Sequence, residues 1–192
     1  MRFWRRPRQT IGPEAPAPTT RPQDAPEAVL AGLEKDEKVF ATAQDDATGH
    51  WLVLTGWRLL ERSADGEEVL DRRWLEVDTG VWDPDAWALE VSFVDGARRR
   101  WVLQRRTGPG RVPPVLRDRT TASVVLVRAL DLGRRRAARV TIRKDLRTRE
   151  LSEQVLLGVG STTSDRALME QVHLTRQDLR GQVGMDPVPE AG

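Results

Sequence analysis

The chain contains no cysteine and no tyrosine, and only two histidines and three lysines among 192 residues. Without cysteine, neither a disulfide framework nor a thiolate metal site is available. That absence suits a reducing cytoplasm. Long apolar runs are missing as well. The longest purely aliphatic stretch, Val124 to Val127, is far short of the roughly 20 residues that span a bilayer as a helix. The start, "MRFWRRPRQT", is basic but leads into no apolar stretch, so no secretory signal is expected. Catalysis has little to stand on. His50 and His173 fall in different elements, and no thiol nucleophile exists. "GVGSTTSDR" precedes a helix but lacks the lysine and spacing of a phosphate-binding loop. "DPD" and "QDD" lack the further carboxylates of a calcium loop. The expectation is a non-enzyme with no metal and no cofactor.

With 39% hydrophobic residues the chain has material for one real core. A net charge of +2 hides a division along the sequence. Residues 1–26 carry five arginines against two acids, 27–96 carry six basic and seventeen acidic groups, 97–149 seventeen and three, and 150–192 three and seven. Such asymmetry marks either a surface for nucleic acid or membrane, or blocks that neutralise each other inside one fold. Binding surfaces need charge clustered in space as well as in sequence, so mutual neutralisation is the favoured expectation.

Residues 7–26 hold six prolines mixed with Ala, Thr and Gln. That composition cannot bury enough apolar surface to offset ordering, and 1–27 is expected to be a disordered tether. From Glu37 the pattern changes to short β-type runs. "KVFATAQ", "WLVLT" and "WRLLERS" are followed by "EEVLDRRWLEV", "ALEVSFV" and "RRRWVLQ". Asp65-Gly66 and Asp95-Gly96 separate apolar runs, which is a strong hairpin signal. Gly56 stands where two apolar strands must reverse, a place where glycine's freedom is useful. In "LEVSF", Leu89, Val91 and Phe93 alternate with polar residues as in a half-buried strand. Residues 37–104 therefore predict an antiparallel meander of six or seven strands. Pro113 and Pro114 suit the first turn of a short helix. "SVVLVRALDL" is compatible with strand or helix, and its β-branched content favours strand. "ARVTIRK" and "ELSEQVLL" predict a second hairpin. Leu168, Val172, Thr175 and Leu179 share one face of a terminal helix. The tail, 184–192, is left outside the fold.

The order "LEKDEKVFATA", "GHWLVLTGWRLLE", an Asp-Gly hairpin, "RRWLEVDTGVWDP", "ALEVSFVDG", a further strand and a helix after "VPP" resembles the bacterial pleckstrin-homology-like domains. In particular it resembles a group of actinobacterial proteins of about this length whose function is not established. Thr55, Gly56, Arg58 and Leu59 match the strand end, reversal and "RL" strand of that superfamily, and the resemblance covers roughly 34–123. It implies an α+β, mostly β fold: an antiparallel barrel or sandwich with a short helix over 28–123. Residues 124–183 would then be an extension of hairpin and amphipathic helix packed on it. The superfamily binds lipid headgroups, peptides or protein partners, and its lipid binders commonly carry basic residues between the first two strands. Here that loop, "QDDATGH", carries Asp45 and Asp46 instead, and two carboxylates repel a phosphorylated headgroup.

Among six tryptophans in or beside predicted strands, core packing is the ordinary role. Trp82 and Trp87 flank the turn "DPDA" and are the candidates for partner contact. At the amino terminus Phe3 and Trp4 stand among Arg2, Arg5, Arg6 and Arg8, a composition suited to weak contact with an anionic membrane. Arg98, Arg99, Arg100, Arg105, Arg106, Arg134, Arg135 and Arg136 form a candidate basic surface, though no nucleic-acid-binding signature accompanies them. The expected function is a cytoplasmic binding or scaffolding module. A protein partner comes first, an anionic membrane second, and nucleic acid through 97–149 is the alternative. If the arginines of 97–149 form one face, nucleic acid or anionic lipid gains. If they pair with the acids of 27–96, protein binding gains.

Overall fold

The chain is described by a computed structural model over residues 24–133 and 135–188. Among these residues the fold is mostly β, with ten strands in three antiparallel sheets and three helices. β1 (Val39–Gln44), β2 (Trp51–Thr55), β3 (Arg58–Arg62) and β4 (Glu68–Arg73) form the first sheet in chain order. A single 3-10 turn, Trp74–Glu76, turns the corner into β5 (Val77–Asp83), β6 (Ala88–Phe93) and β7 (Arg98–Val102), the second sheet. The meander expected over 37–104 is present with seven strands. The helix expected after the prolines is α2, Val112–Ser123, with proline in its first turn. The β-branched run 124–131 is strand β8 (Val124–Asp131), and it pairs with β9 (Ala137–Lys144), which pairs with β10 (Leu151–Leu157). Helix α3, Arg166–Val183, closes the chain's second core and ends at Gly184 in the left-handed conformation.

The stretch "WLVLTGWRLL" reads as continuous apolar sequence because β2 is covered on both faces. Leu52, Leu54 and Leu59 enter the main core with Trp74, Trp101, Leu89 and Leu116. Trp51, Val53 and Leu60 enter a smaller cluster with Ala25 and Val29. A strand buried on both sides loses the alternation of a half-exposed one. The cover is the segment before β1, including the short helix α1, Glu27–Leu30. Ala25, assigned from composition to the tether, is buried. Arg62, itself buried, donates from Nη1 to the carbonyls of Val29, at 2.8 Å, and Ala31, satisfying acceptors at the helix end. Gly66, at φ +89°, turns β3 into β4 directly beneath this segment. A Cβ there would lie 2.2 Å from the Ala28 carbonyl oxygen. The described part of the tail is likewise drawn in: Val188 is buried and Met185 packs on the second core.

The β2–β3 reversal corrects one expectation. Gly56 has no positive φ. The turn is made by Thr55, whose Oγ1 accepts the amides of Trp57 and Arg58 at 3.1 and 3.0 Å and donates to Glu37 Oε1 at 2.7 Å. Glu37, with a fully buried side chain, accepts Arg58 Nε at 2.9 Å and Nη2 at 2.8 Å, while Arg58 Nη1 reaches Asp71 at 2.5 Å. Burial pushes the Glu37 carboxyl up, but the donors from Arg58, Thr55 and the Glu34 amide outweigh it and hold the group below its ordinary value. The same bonds, against burial, hold Arg58 above its own.

Two hairpin turns a hundred positions apart are built alike. In "DDATGH" the Asp45 amide donates to His50 O at 2.8 Å and the Gly49 amide to Asp45 O at 2.9 Å. In "DLRTRE" the Asp145 amide donates to Glu150 O at 2.9 Å and the Arg149 amide to Asp145 O at 3.0 Å. The Asp carboxylate in each accepts further turn amides.

Removing one partner of a buried, hydrogen-bonded ion pair costs about 3 kcal/mol or more. Glu37→Gln is therefore expected to lower stability by about 3 kcal/mol at neutral pH. A depressed carboxyl contributes stability that is complete above its unfolded pKa, about 4.3, and is lost as pH falls through the lower folded value. The difference between wild type and variant should accordingly shrink on acidification, as read from urea unfolding at successive pH values.

Candidate functional site

Among the described residues β5 pairs with β6 alone, so its other edge carries no strand. Helix α2 packs against β5, and a groove of about 480 Å³ lies between them. The walls are Trp82 and Leu89 from the sheet, with Pro113, Leu116 and Thr120 from the helix. Gly80 sets the depth of the groove. A Cβ at Gly80 would sit 2.3 Å from Leu116 Cδ2, so any side chain there would require Leu116 to shift. Arg117 stands at the groove and makes no ion pair among the described residues.

The two tryptophans singled out from the sequence come together here. Their ring centroids lie 6.4 Å apart at 87°, an edge-to-face pair of the kind aromatic quadrupoles favour. Asp83 Oδ1 accepts the amides of Asp85 and Ala86 at 2.9 and 3.1 Å, tightening the β5–β6 turn. The turn then places Trp87 at φ 50°, a left-handed conformation that is uncommon for a bulky residue. The Trp87 carbonyl accepts the Leu103 amide at 2.8 Å and holds it there. Backbone strain of this kind persists only where the surroundings enforce it, and it concentrates at functional sites. Trp51, Trp74 and Trp101 are core residues.

The β1–β2 loop is an internal fastening. Asp46 accepts the successive amides of Gln104, Arg105 and Arg106 at 2.8–2.9 Å. Burial pushes its carboxyl up, but those amides and the Arg105 charge outweigh it and hold it below the ordinary range. Asp45 Oδ1 accepts the Val102 amide at 2.7 Å. The concavity of backbone donors that would otherwise receive an anion is thus filled by the protein's own carboxylate.

The described candidate basic residues sit on β7, on the segment that follows it and in the β8–β9 turn. Arg98 and Arg100 lie on the outer side of β7, where Arg100 meets Glu90 at 3.2 Å, and Arg99 approaches Glu61 at 3.9 Å. Arg105 and Arg106 flank the Asp46 fastening. Arg136 pairs with Asp165, the N-cap of α3, at 2.5 Å, and Arg135 forms part of the β8–β9 turn. Arg139 meets Asp78, Arg143 lies 3.9 Å from Asp78, and Arg147 meets Glu34. Five arginines of the basic block are therefore matched to acids of the acidic block. Arg134, Arg2, Phe3, Trp4, Arg5, Arg6 and Arg8 lie outside the described residues.

His50 Nδ1 lies 2.9 Å from Glu61 Oε1 at the start of β2, and His173 stands on α3, far along the chain. No group of three metal-ligating side chains occurs among the described residues, and no described helix is long and apolar enough to cross a membrane. Compared with models of known protein families and with functionally described proteins, the chain matches none. Sequence reasoning found Trp82 and Trp87 but missed Gly80, Leu116 and Arg117. The groove is a tertiary product of β5 against α2, and its one local trace is a glycine inside a strand, which signals close backbone approach.

Gly80→Ala is expected to force Leu116 off the sheet at a cost of about 1–3 kcal/mol, the range for overpacking. A lowered urea midpoint with an unchanged slope checks it.

Proposed function

We propose that the chain is a non-catalytic binding module of pleckstrin-homology-like type that takes an extended segment of a protein partner along the edge of β5. What supports the fold half of this reading is element order: a seven-strand meander split four and three, closed by a helix. What supports the functional half is the unpaired β5 edge beside an apolar groove. Strand addition supplies main-chain hydrogen bonds, and pockets for alternate side chains supply selectivity. The occupant has an apolar side chain that seats between Trp82 and Pro113, and a carboxylate that meets Arg117. Trp82, braced by Trp87, is the rigid anchor such an interface needs. Five arginines of the basic block meet acids from elsewhere in the fold, which leaves fewer cations for nucleic acid, whose affinity depends on clustered cations, and so favours a protein partner.

Selection of the full chain against a random peptide library tests the proposal. Enriched peptides should combine an apolar and an acidic residue. They should perturb amide resonances of Thr79–Asp83 and 115–121, and bind at least tenfold more weakly to Trp82→Ala. Perturbations confined to another face, or undiminished binding by that variant, would sink the idea.

A further inference from the structure

A second concavity, of about 380 Å³, lies at the seam between the two cores, at the opposite end of β1 from the Asp46 loop. Its floor includes Phe40, Gly56 and Trp57. Four cations from four elements line it: Lys38 ahead of β1, Arg119 on α2, Lys144 at the end of β9, and Arg149 in the β9–β10 turn. Asp36 is the single carboxylate in the lining. None of the four cations makes an ion pair or a side-chain hydrogen bond among the described residues. The seam around them is otherwise neutralised, with Arg73 on Asp145 at 3.2 Å and Arg147 on Glu34.

Two independent features mark the cluster as built. The chain uses lysine three times, and two of the three converge here. Arg149 stands at φ 70°, in the position that glycine occupies at φ 77° in the matching β1–β2 turn. An arginine held in a glycine conformation is strained, and strain of this kind gathers at ligand clamps. The aromatic faces are already taken. The Arg119 guanidinium lies 5.0 Å from the Phe40 ring centre, and Arg147 lies 5.0 Å from that of Trp57. An occupant therefore meets charge and not an open ring face, which argues against a stacked base.

We infer that this cleft binds a small, multiply charged oxyanion of the phosphate or phosphate-ester class. Lys38 and Lys144 act as point charges, and Arg119 and Arg149 as directional donors. Clustered cations lining a concavity raise the local concentration of such an anion.

Thermal unfolding of the full chain with inorganic pyrophosphate, against sodium chloride of matched ionic strength, tests the inference. Pyrophosphate should raise Tm, and Lys144→Gln and Arg149→Gly should each weaken its apparent affinity at least tenfold. Lys35→Gln, outside the cleft, should leave the response intact. Arg149→Gly should raise the unliganded Tm while losing the pyrophosphate response, a pairing that a purely structural arginine would not give. Flotation with phosphatidylcholine vesicles, with and without a phosphorylated inositol lipid, separates the sources. Capture that pyrophosphate reverses assigns the anion to a headgroup, and a pyrophosphate response without capture assigns it to a soluble ester. A Tm response no larger than that of chloride, or one undiminished in Lys144→Gln and Arg149→Gly, overturns the inference.

Discussion

A relay of buried hydrogen bonds through Trp74 holds the parts of this protein in register. Its indole Nε1 donates to the Thr55 carbonyl at 3.0 Å, and its own carbonyl lies 3.4 Å from Ser123 Oγ, whose hydroxyl donates at 2.7 Å to the Thr120 carbonyl. Ser123 Oγ in turn accepts Arg143 Nη1 at 2.8 Å. Trp74 is fully buried at the corner between the first two sheets. The relay therefore ties the β2–β3 reversal to the last turn of α2 and then to the middle sheet strand of the second core. A buried indole N–H, hydroxyl or guanidinium without a partner carries a penalty of about 1–3 kcal/mol or more, so each member constrains the next. Burial draws the Arg143 pKa below the ordinary guanidinium value, opposed by the charge of Asp78.

Helix α2 is the element through which this constraint reaches both concavities. Its Leu116 rests on Gly80 and shapes the groove beside β5. One helical turn on, Arg119 covers Phe40 and lines the basic cleft on the other flank. Ser123, the last helical residue, is the relay's middle link. The second core, formed by Val140, Ile142, Leu168, Val172 and Leu179, faces away from these features. What it presents to α2 and β5 is the polar side of its sheet, where Arg139 meets Asp78 and Gln154 Nε2 donates to the Leu75 carbonyl at 2.8 Å. The seam is thus polar and directional, and it fixes orientation more than it adds apolar burial.

Strands and turns were legible because their signals are local. Asp95-Gly96 marks its hairpin with Gly96 at φ 85°. The repeated Asp-x-x-Thr turns are visible as "DDATGH" and "DLRTRE" once their shared bonding is known. The β-branched run 124–131 favoured strand over helix, and strand it is. The cover over β2 was hidden inside a proline-rich composition. Yet "WLVLT" itself carried the clue, since an unbroken apolar strand needs apolar partners on both faces. Gly56 misled because the turn belongs to the Thr55 hydroxyl. At the candidate groove, the sequence distinguished Trp82 and Trp87 by their place beside a polar turn. Nothing short-range tied them to residues 113–121, and the basic cleft draws on segments more than a hundred residues apart.

Every strand in the three sheets pairs only with a strand adjacent to it in the sequence. Each ladder therefore closes a short loop, the inexpensive kind in chain entropy, and sheets of this sort assemble faster than those stitched from distant segments. During synthesis the hairpins can zip in the order in which they emerge, with the corner at Trp74 already present before Ser123 and Arg143 arrive. The sheet of β8, β9 and β10 then docks onto a finished template. The growing chain never has to hold an early strand open for a late partner, which shortens the exposure of unpaired edges to neighbouring chains.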